Sequence, residues 1–286
     1  MLRVAVTGAR GNVGKLVVDL LANDNGREVV AVARQPQSEN ELRRNVRWVV
    51  ANYSDFAALR KAFEGVETLA LISSDGDAAS VLMHHRNIIE AAVQTGVSNV
   101  VALSSLDADI NSPFCYAKTN AFTERMLAES GLAVSIARSS ISEFFLRWLQ
   151  TARRSGEIRL PAADGRISLV GRDDVARTLA SLTVNPQTGI CYDVTGTRAL
   201  DLPTIAEVAS QIFRKPVHYI DITPREFVVE ITKDGGDPWW VYAFSTMFES
   251  IREQRWSTVS DALTRLTGYA PTPFREIIEA SGSCVR

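Results

Sequence analysis

The chain reads as an α/β protein built on a doubly wound parallel sheet, followed by a smaller, mostly helical region. Three observations carry this reading. Short runs rich in Val, Ile, Leu and Ala alternate with longer amphipathic stretches through the first half. Glycines stand just past several of those stretches, and a glycine-rich turn joins the first run to the first stretch. Nearly continuous apolar runs suit strands covered on both faces, as in a parallel sheet. Strand and helix repeated in alternation give the doubly wound arrangement.

The strand runs lie at 2–7, 28–33, 46–51, 68–72, 99–104 and 133–138, and the helical stretches between them at 12–21, 55–63, 78–95 and 117–129. Asp55 stands where its helix wants an N-cap acceptor. Gly65, Gly96 and Gly131 fall where a helix C-terminus takes a left-handed residue. After about residue 140 helical stretches dominate, with short strand candidates at 190–195 and 217–221. Trp148, Trp239, Trp240 and Trp256 all lie in this half. No Gly/Ser-rich or Pro-rich linker divides the halves, so residues 1–140 are expected to form one domain with 141–286 packed against it.

The strongest local signal is Thr7-Gly8-Ala9-Arg10-Gly11-Asn12-Val13-Gly14, directly after the first strand. Gly8 permits a sharp turn, Gly11 lets the backbone approach a pyrophosphate, and Gly14 lets the helix pack closely on the strand. The helix N-terminus offers unpaired N–H groups and a positive dipole end. Thr7, Gly8, Arg10, Gly11, Asn12, Val13 and Gly14 are therefore candidate dinucleotide contacts, and 1–140 is expected to be a Rossmann-type NAD(P)-binding domain. An NAD site places an acid at the end of the second strand. This chain has Val32-Ala33-Arg34-Gln35 there, and a guanidinium suits the 2′-phosphate of NADPH. Arg10 is a second cation within the loop. NADPH is the expected cofactor.

With these residues read, TGARGNVG, the AVAR-Q-P ending of the second strand, Leu71-Ile72-Ser73-Ser74 and the block from Thr123 to Ser140 resemble the NmrA-like atypical short-chain dehydrogenases/reductases. Within that family the likeness is greatest to type-2 NADPH-dependent quinone oxidoreductases and to triphenylmethane reductases. The resemblance implies NADP(H) on a Rossmann fold and a C-terminal region forming a substrate cleft. It also implies that Ser73 and Ser74 border the cofactor. Asn52 stands where many relatives have an acid near the adenine.

Standard short-chain dehydrogenases use Tyr-x-x-x-Lys on one helix face with a Ser on the preceding strand. Here Ser104 or Ser105 and Tyr116 are the candidates, but Asn120 takes the lysine position and Lys118 falls on another face. An intact Ser-Tyr-Lys mechanism is not expected. A quinone accepts hydride directly, so holding the nicotinamide and the acceptor in contact would supply much of the catalysis. The primary reading is an NADPH-dependent oxidoreductase acting on a quinone or similar conjugated acceptor. The alternative is a non-catalytic NADP(H)-binding sensor that regulates a protein partner. An epimerase-like activity is disfavoured because it normally needs the tyrosine–lysine pair.

The remaining features narrow the partners. A formal net charge of −2 argues against nucleic acid, and Arg43, Arg44 and Arg47 read as solvated surface. Three widely spaced cysteines show no disulfide or zinc spacing. With no signal-peptide core and no membrane-length apolar run, a cytoplasmic location is expected. The expected partner is a small-molecule acceptor, with no nucleic acid and no membrane; a homodimer is left open. His84 and His85 point to different helix faces and read as surface or core-edge residues, not metal ligands. Cys115 is a candidate redox-sensitive thiol, depending on its surroundings. Trp239 and Trp240 read as packing, with an acceptor pocket as the alternative.

Overall fold

The computed structural model describes residues 2–35, 43–73, 76–233 and 235–283. In chain order the first elements are β1 (Leu2–Val6), α1 (Asn12–Leu21), β2 (Arg27–Ala33), β3 (Val46–Val50), α2 (Phe56–Phe63), β4 (Thr68–Leu71), α3 (Ala78–Gln94), β5 (Asn99–Ser105), α4 (Cys115–Glu129) and β6 (Ala133–Ser139). There follow α5 (Glu143–Ser155), β7 (Glu157–Leu160), β8 (Arg166–Ile167), α6 (Arg172–Val184), β9 (Ile190–Val194), β10 (Leu200–Asp201) and α7 (Leu202–Phe213). The chain continues through β11 (His218–Asp221), α8 (Pro224–Lys233), α9 (Pro238–Arg252), α10 (Ala262–Thr267) and α11 (Phe274–Ser283).

The principal sheet has seven strands in the order β3-β2-β1-β4-β5-β6-β9. β1 pairs in parallel with both β2 and β4, with Val6 opposite Ala31 on one side and Ala70 on the other. The pairs β2–β3 and β4–β5 are parallel as well. The expected doubly wound Rossmann-type sheet is therefore present. The chain winds outward from β1 through β2 to β3, then returns to the other side of β1 as β4. Ligands of such sheets bind beyond the strand C-termini at that reversal.

Strand and helix limits fall close to the sequence expectations because the buried faces carry them. All four residues of β4 are buried, and the last five of β2. Asp55 caps α2 as anticipated, its carboxylate accepting from the Ala58 N–H at 2.9 Å. The strand candidate near 190 joins the main sheet as its seventh member, beside β6. The remaining short strands form two separate pairs, β10–β8 antiparallel and β11–β7 parallel.

By compactness the chain falls into two units. One comprises Met1–Ser104, Thr119–Arg138 and Asp173–Tyr192; the other comprises Ser105–Lys118, Ser139–Arg172 and Asp193–Arg286. The sequence reading draws a single boundary at 140, whereas the chain passes between these units several times. The first unit is built around Leu59, Phe63, Leu69, Leu71, Ile88 and Leu127, each under 2% exposed. Each such side chain contributes about 1.5–3 kcal/mol on burial. The second has its own core, with Phe145, Ile158, Leu160, Ile167, Phe248 and Trp256 among its members. Among the described residues no helix is long and apolar enough to cross a membrane.

Candidate functional site

The turn between β1 and α1 is held by backbone and by Thr7. The Thr7 hydroxyl, fully buried, donates to the Ile72 carbonyl at 3.1 Å and accepts from the Ile72 N–H at 2.9 Å. This ties the end of β1 to the end of β4, at the reversal in strand order. Gly8 has φ of +61°, a conformation that side-chain-bearing residues rarely adopt. Its N–H donates to the Tyr53 hydroxyl oxygen, and the Gly11 N–H donates back to the Gly8 carbonyl at 2.7 Å.

Close packing explains the third glycine. A Cβ on Gly14 would stand 2.0 Å from the Gly8 carbonyl oxygen, so α1 reaches the turn only because residue 14 has no side chain. Val13 and Gly14 are buried, whereas Arg10, Gly11 and Asn12 are exposed. Gly11 occupies the N-cap of α1 without a side-chain acceptor. By contrast, Asp55, Asp77 and Asp201 each cap their own helices with a carboxylate. The first turn of α1 thus presents its N–H donors uncapped beside an exposed glycine. These are the features a pyrophosphate needs, and the residues present fit a dinucleotide.

Arg34 is exposed directly after β2. Its charge acts on buried Tyr53 and on His84, whose ring stands edge-to-face against Tyr53 at 5.9 Å. Burial raises the Tyr53 hydroxyl above its ordinary range, so it stays protonated beneath the glycine turn. Sequence reasoning passed over Tyr53. Its position just past β3 was the available signal, but the Gly8 contact depends on packing. The Asn52 side-chain oxygen accepts from the Ser54 N–H at 3.1 Å.

Ser73, half-buried past the end of β4, lies 3.1 Å from Nε2 of His85. Ser74 lies outside the described residues. His85 is a buried core residue of α3, and His84 is half-buried. The reading of these two as surface or core-edge residues understates His85, because adjacent positions on a helix face different surroundings.

Ser104 is buried, and its hydroxyl donates to Oε1 of Glu124 at 2.5 Å. Glu124 also accepts from Nε of Arg138 at 2.9 Å and from Nη2 of the same guanidinium, a bidentate pair. The Ser104 hydroxyl is thus committed to a structural carboxylate that the sequence did not reveal.

Tyr116 lies in the other unit, where its hydroxyl oxygen accepts from the Trp239 indole N–H at 3.0 Å. Its ring meets Phe114, Trp239 and Trp240 with centroids 5.8, 5.9 and 6.3 Å away. Nearby, buried Asp107 accepts from the hydroxyls of Ser112 and Ser250, while the Trp256 indole donates to Ser250 at 3.0 Å. Burial pushes the Asp107 carboxyl up. Cys115 is buried, which pushes its thiol up and makes it a poor thiolate.

A family described as NAD(P)H-binding matches residues 8–186. Quinone oxidoreductase 2 of Escherichia coli is 32% identical over 236 residues, spanning 81% of this chain and 82% of that protein. The crystal structure of an NADPH-dependent quinone oxidoreductase from Escherichia coli, complexed with NADPH, has a TM-score of 0.91 at 29% identity, covering 98% of this chain and 99% of that one. Triphenylmethane reductase from Citrobacter sp., complexed with NADP(H), shares the fold with a TM-score of 0.90 at 24% identity, over 98% of this chain and 100% of that one.

Proposed function

The chain belongs to the NAD(P)H-binding family, and from that premise we propose that it is an NADPH-dependent oxidoreductase passing hydride to a quinone or a similar flat, conjugated acceptor. The observation that carries this is the glycine turn at the β1–β4 reversal, followed by the uncapped first turn of α1, with Arg34 exposed directly after β2. A relative matched over four-fifths of its length is a quinone oxidoreductase.

In this reading Gly8, Gly11 and Gly14 shape the turn, and the N–H groups at Asn12 and Val13 face the pyrophosphate. Thr7 holds the turn to β4, Arg34 pairs with the 2′-phosphate, and Arg10 lies exposed in the same loop. Ser73 borders the cofactor. NADPH, when bound, supplies the hydride, and the reduced acceptor takes its proton from solvent. The chain then acts mainly by holding two reactants in near-attack geometry.

Ser104 is occupied by Glu124, and Tyr116 accepts a hydrogen bond from Trp239 with an uncharged Asn120 one turn on. Neither is assigned acid catalysis. The region from 141 to 286 is assigned the acceptor cleft, with a small-molecule acceptor as partner. A cytoplasmic location goes with this reading.

The test is NADPH oxidation by the purified protein with a panel of simple quinones, followed spectroscopically against a no-enzyme control. Saturable turnover that is much weaker with NADH supports the proposal. Tight NADPH binding without turnover on any acceptor would refute the reductase and favour the sensor.

A further inference from the structure

Tyr53 lies just past β3, is 4% exposed, and is held from three directions. Its carbonyl accepts from Nδ2 of Asn87 on α3 at 2.9 Å. Its ring stands edge-to-face against His84 of the same helix, with centroids 5.9 Å apart. Its hydroxyl oxygen accepts from the Gly8 N–H, and the same hydroxyl meets the Thr7 side chain. Thr7 gives its own proton to the Ile72 carbonyl at 3.1 Å, so towards Tyr53 it acts as the acceptor. Each bond then has one direction, from Gly8 to Tyr53, from Tyr53 to Thr7, and from Thr7 to Ile72. The phenol proton is turned inward, and the hydroxyl is committed to the protein.

The contact matters because of how the turn shares out its backbone donors. The Ala9 N–H donates to the Val32 carbonyl at 3.2 Å, and the Gly11 N–H to the Gly8 carbonyl at 2.7 Å. The first bond of α1 runs from the Lys15 N–H to the Gly11 carbonyl at 2.9 Å. Asn12, Val13 and Gly14 therefore keep N–H groups with no acceptor inside the helix.

We infer that Tyr53 is a positioning residue of the cofactor site: by taking up the Gly8 N–H it fixes the turn and leaves the first turn of α1 to supply the diphosphate donors. The inference rests on the cofactor reading above. Without the phenol, the Gly8 N–H would be an unsatisfied donor in a half-buried residue. Glycine at φ +61° has many other conformations open to it, so the turn would relax to pair that donor elsewhere. A relaxed turn has to be ordered again by each ligand that uses it, and that ordering weakens binding.

The test compares Y53F with the wild type, using NADPH and adenosine 2′-monophosphate as probes. Y53F keeps the ring and removes only the hydroxyl. Adenosine 2′-monophosphate carries the 2′-phosphate without the diphosphate, so it reports general damage to the site. Kd is read by calorimetry for NADPH and by NMR titration for the weaker nucleotide. Y53F is expected to weaken NADPH by about 3- to 10-fold, the scale of one hydrogen bond, and to leave adenosine 2′-monophosphate unchanged. Unchanged NADPH affinity, or equal losses for both probes, would overturn the inference.

Amide hydrogen exchange on the wild type gives a check that needs no variant. Gly8 is expected to be protected before NADPH is added and little changed after it, whereas Asn12 and Val13 gain protection on binding. Protection that NADPH confers on Gly8 and withholds from α1 would also overturn the assignment. If the wild type binds no NADPH, the cofactor reading fails first and takes this inference with it. Tight NADPH binding by wild type and Y53F alike would sink the Tyr53 role alone.

Discussion

Replacing Gly14 with alanine sets helix propensity against sterics. Alanine is favoured over glycine in a helix interior by about 1 kcal/mol, so propensity alone forecasts a more stable protein. The structure forecasts the reverse. The new Cβ would lie 2.0 Å from the Gly8 carbonyl oxygen and 2.6 Å from its carbon. A carbon–oxygen contact needs roughly 3.3 Å, so the turn and α1 must part by more than about 1 Å. Neither yields easily, since Thr7 ties the turn to Ile72 and the Gly8 N–H is held by Tyr53. Overpacking of this kind costs about 3 kcal/mol, the upper end of its usual range. Less the propensity gain, the net loss is about 2 kcal/mol. For a chain of 286 residues that corresponds to a fall in melting temperature of roughly 3–4 °C.

Gly11→Ala is the internal control. Its φ is −71° and its Cβ would lie 3.1 Å from the Gly8 oxygen. Stability should fall by only about 0.5–1 kcal/mol, the cost of alanine at an N-cap, while NADPH affinity falls because the added methyl stands where the pyrophosphate would approach. Thermal melts without ligand, paired with NADPH titrations, measure both quantities. A Gly14→Ala protein melting at or above the wild type would refute the packing argument. Two variants with the same stability loss would show that the glycines are not playing separate roles.

Four further outcomes follow from the same structure. Arg34→Asp should weaken NADPH by about 10- to 100-fold, the scale of charge-assisted hydrogen bonds, with little effect on NADH; equal losses would remove Arg34 from the 2′-phosphate. Glu124→Ala deprives Arg138 and Ser104 of their acceptor. Because the Arg138 side chain remains 29% exposed, the cost in a urea titration should be about 2 kcal/mol, less than for a fully buried pair. Tyr116→Phe loses the Trp239 hydrogen bond and about 1 kcal/mol of stability while changing quinone turnover only modestly. Loss of nearly the whole rate would reinstate the tyrosine as the acid.

The fourth concerns pH. The unfolded chain protonates His85 near its ordinary value of 6.5, whereas the native state resists until about 4. Native stability from this group is therefore complete above the higher value and declines as pH falls toward the lower, by at most about 3 kcal/mol. Denaturation curves between those limits should be flatter in H85Q. An unchanged acid dependence in that variant would show that His85 does not carry it.

The candidate site was legible where chemistry is written in consecutive residues. The glycine turn and Arg34 lie within one βαβ unit, and their spacing alone located them. Tyr53, His85 and Glu124 were not legible, because each is defined by a partner far along the chain. Tyr53 meets Gly8, and Glu124 joins Ser104 to Arg138. Helical geometry told that His84 and His85 face different ways, but not which of them the sheet would cover. Ser104 stood at the expected strand end, yet its hydroxyl proved to be engaged by Glu124.

The sequence by itself determined the alternation of strand and helix, the turn after β1, the cap at Asp55 and the cation after β2. Those features follow from periodicity, propensity and steric limits that act over a few neighbouring residues. Only the tertiary structure decided that Ile190–Val194 would extend the main sheet, that His85 would be the buried histidine, and that the chain would interleave two compact units. Those outcomes depend on which surfaces meet after collapse, where burial and hydrogen-bond satisfaction act between residues that local pattern never brings together.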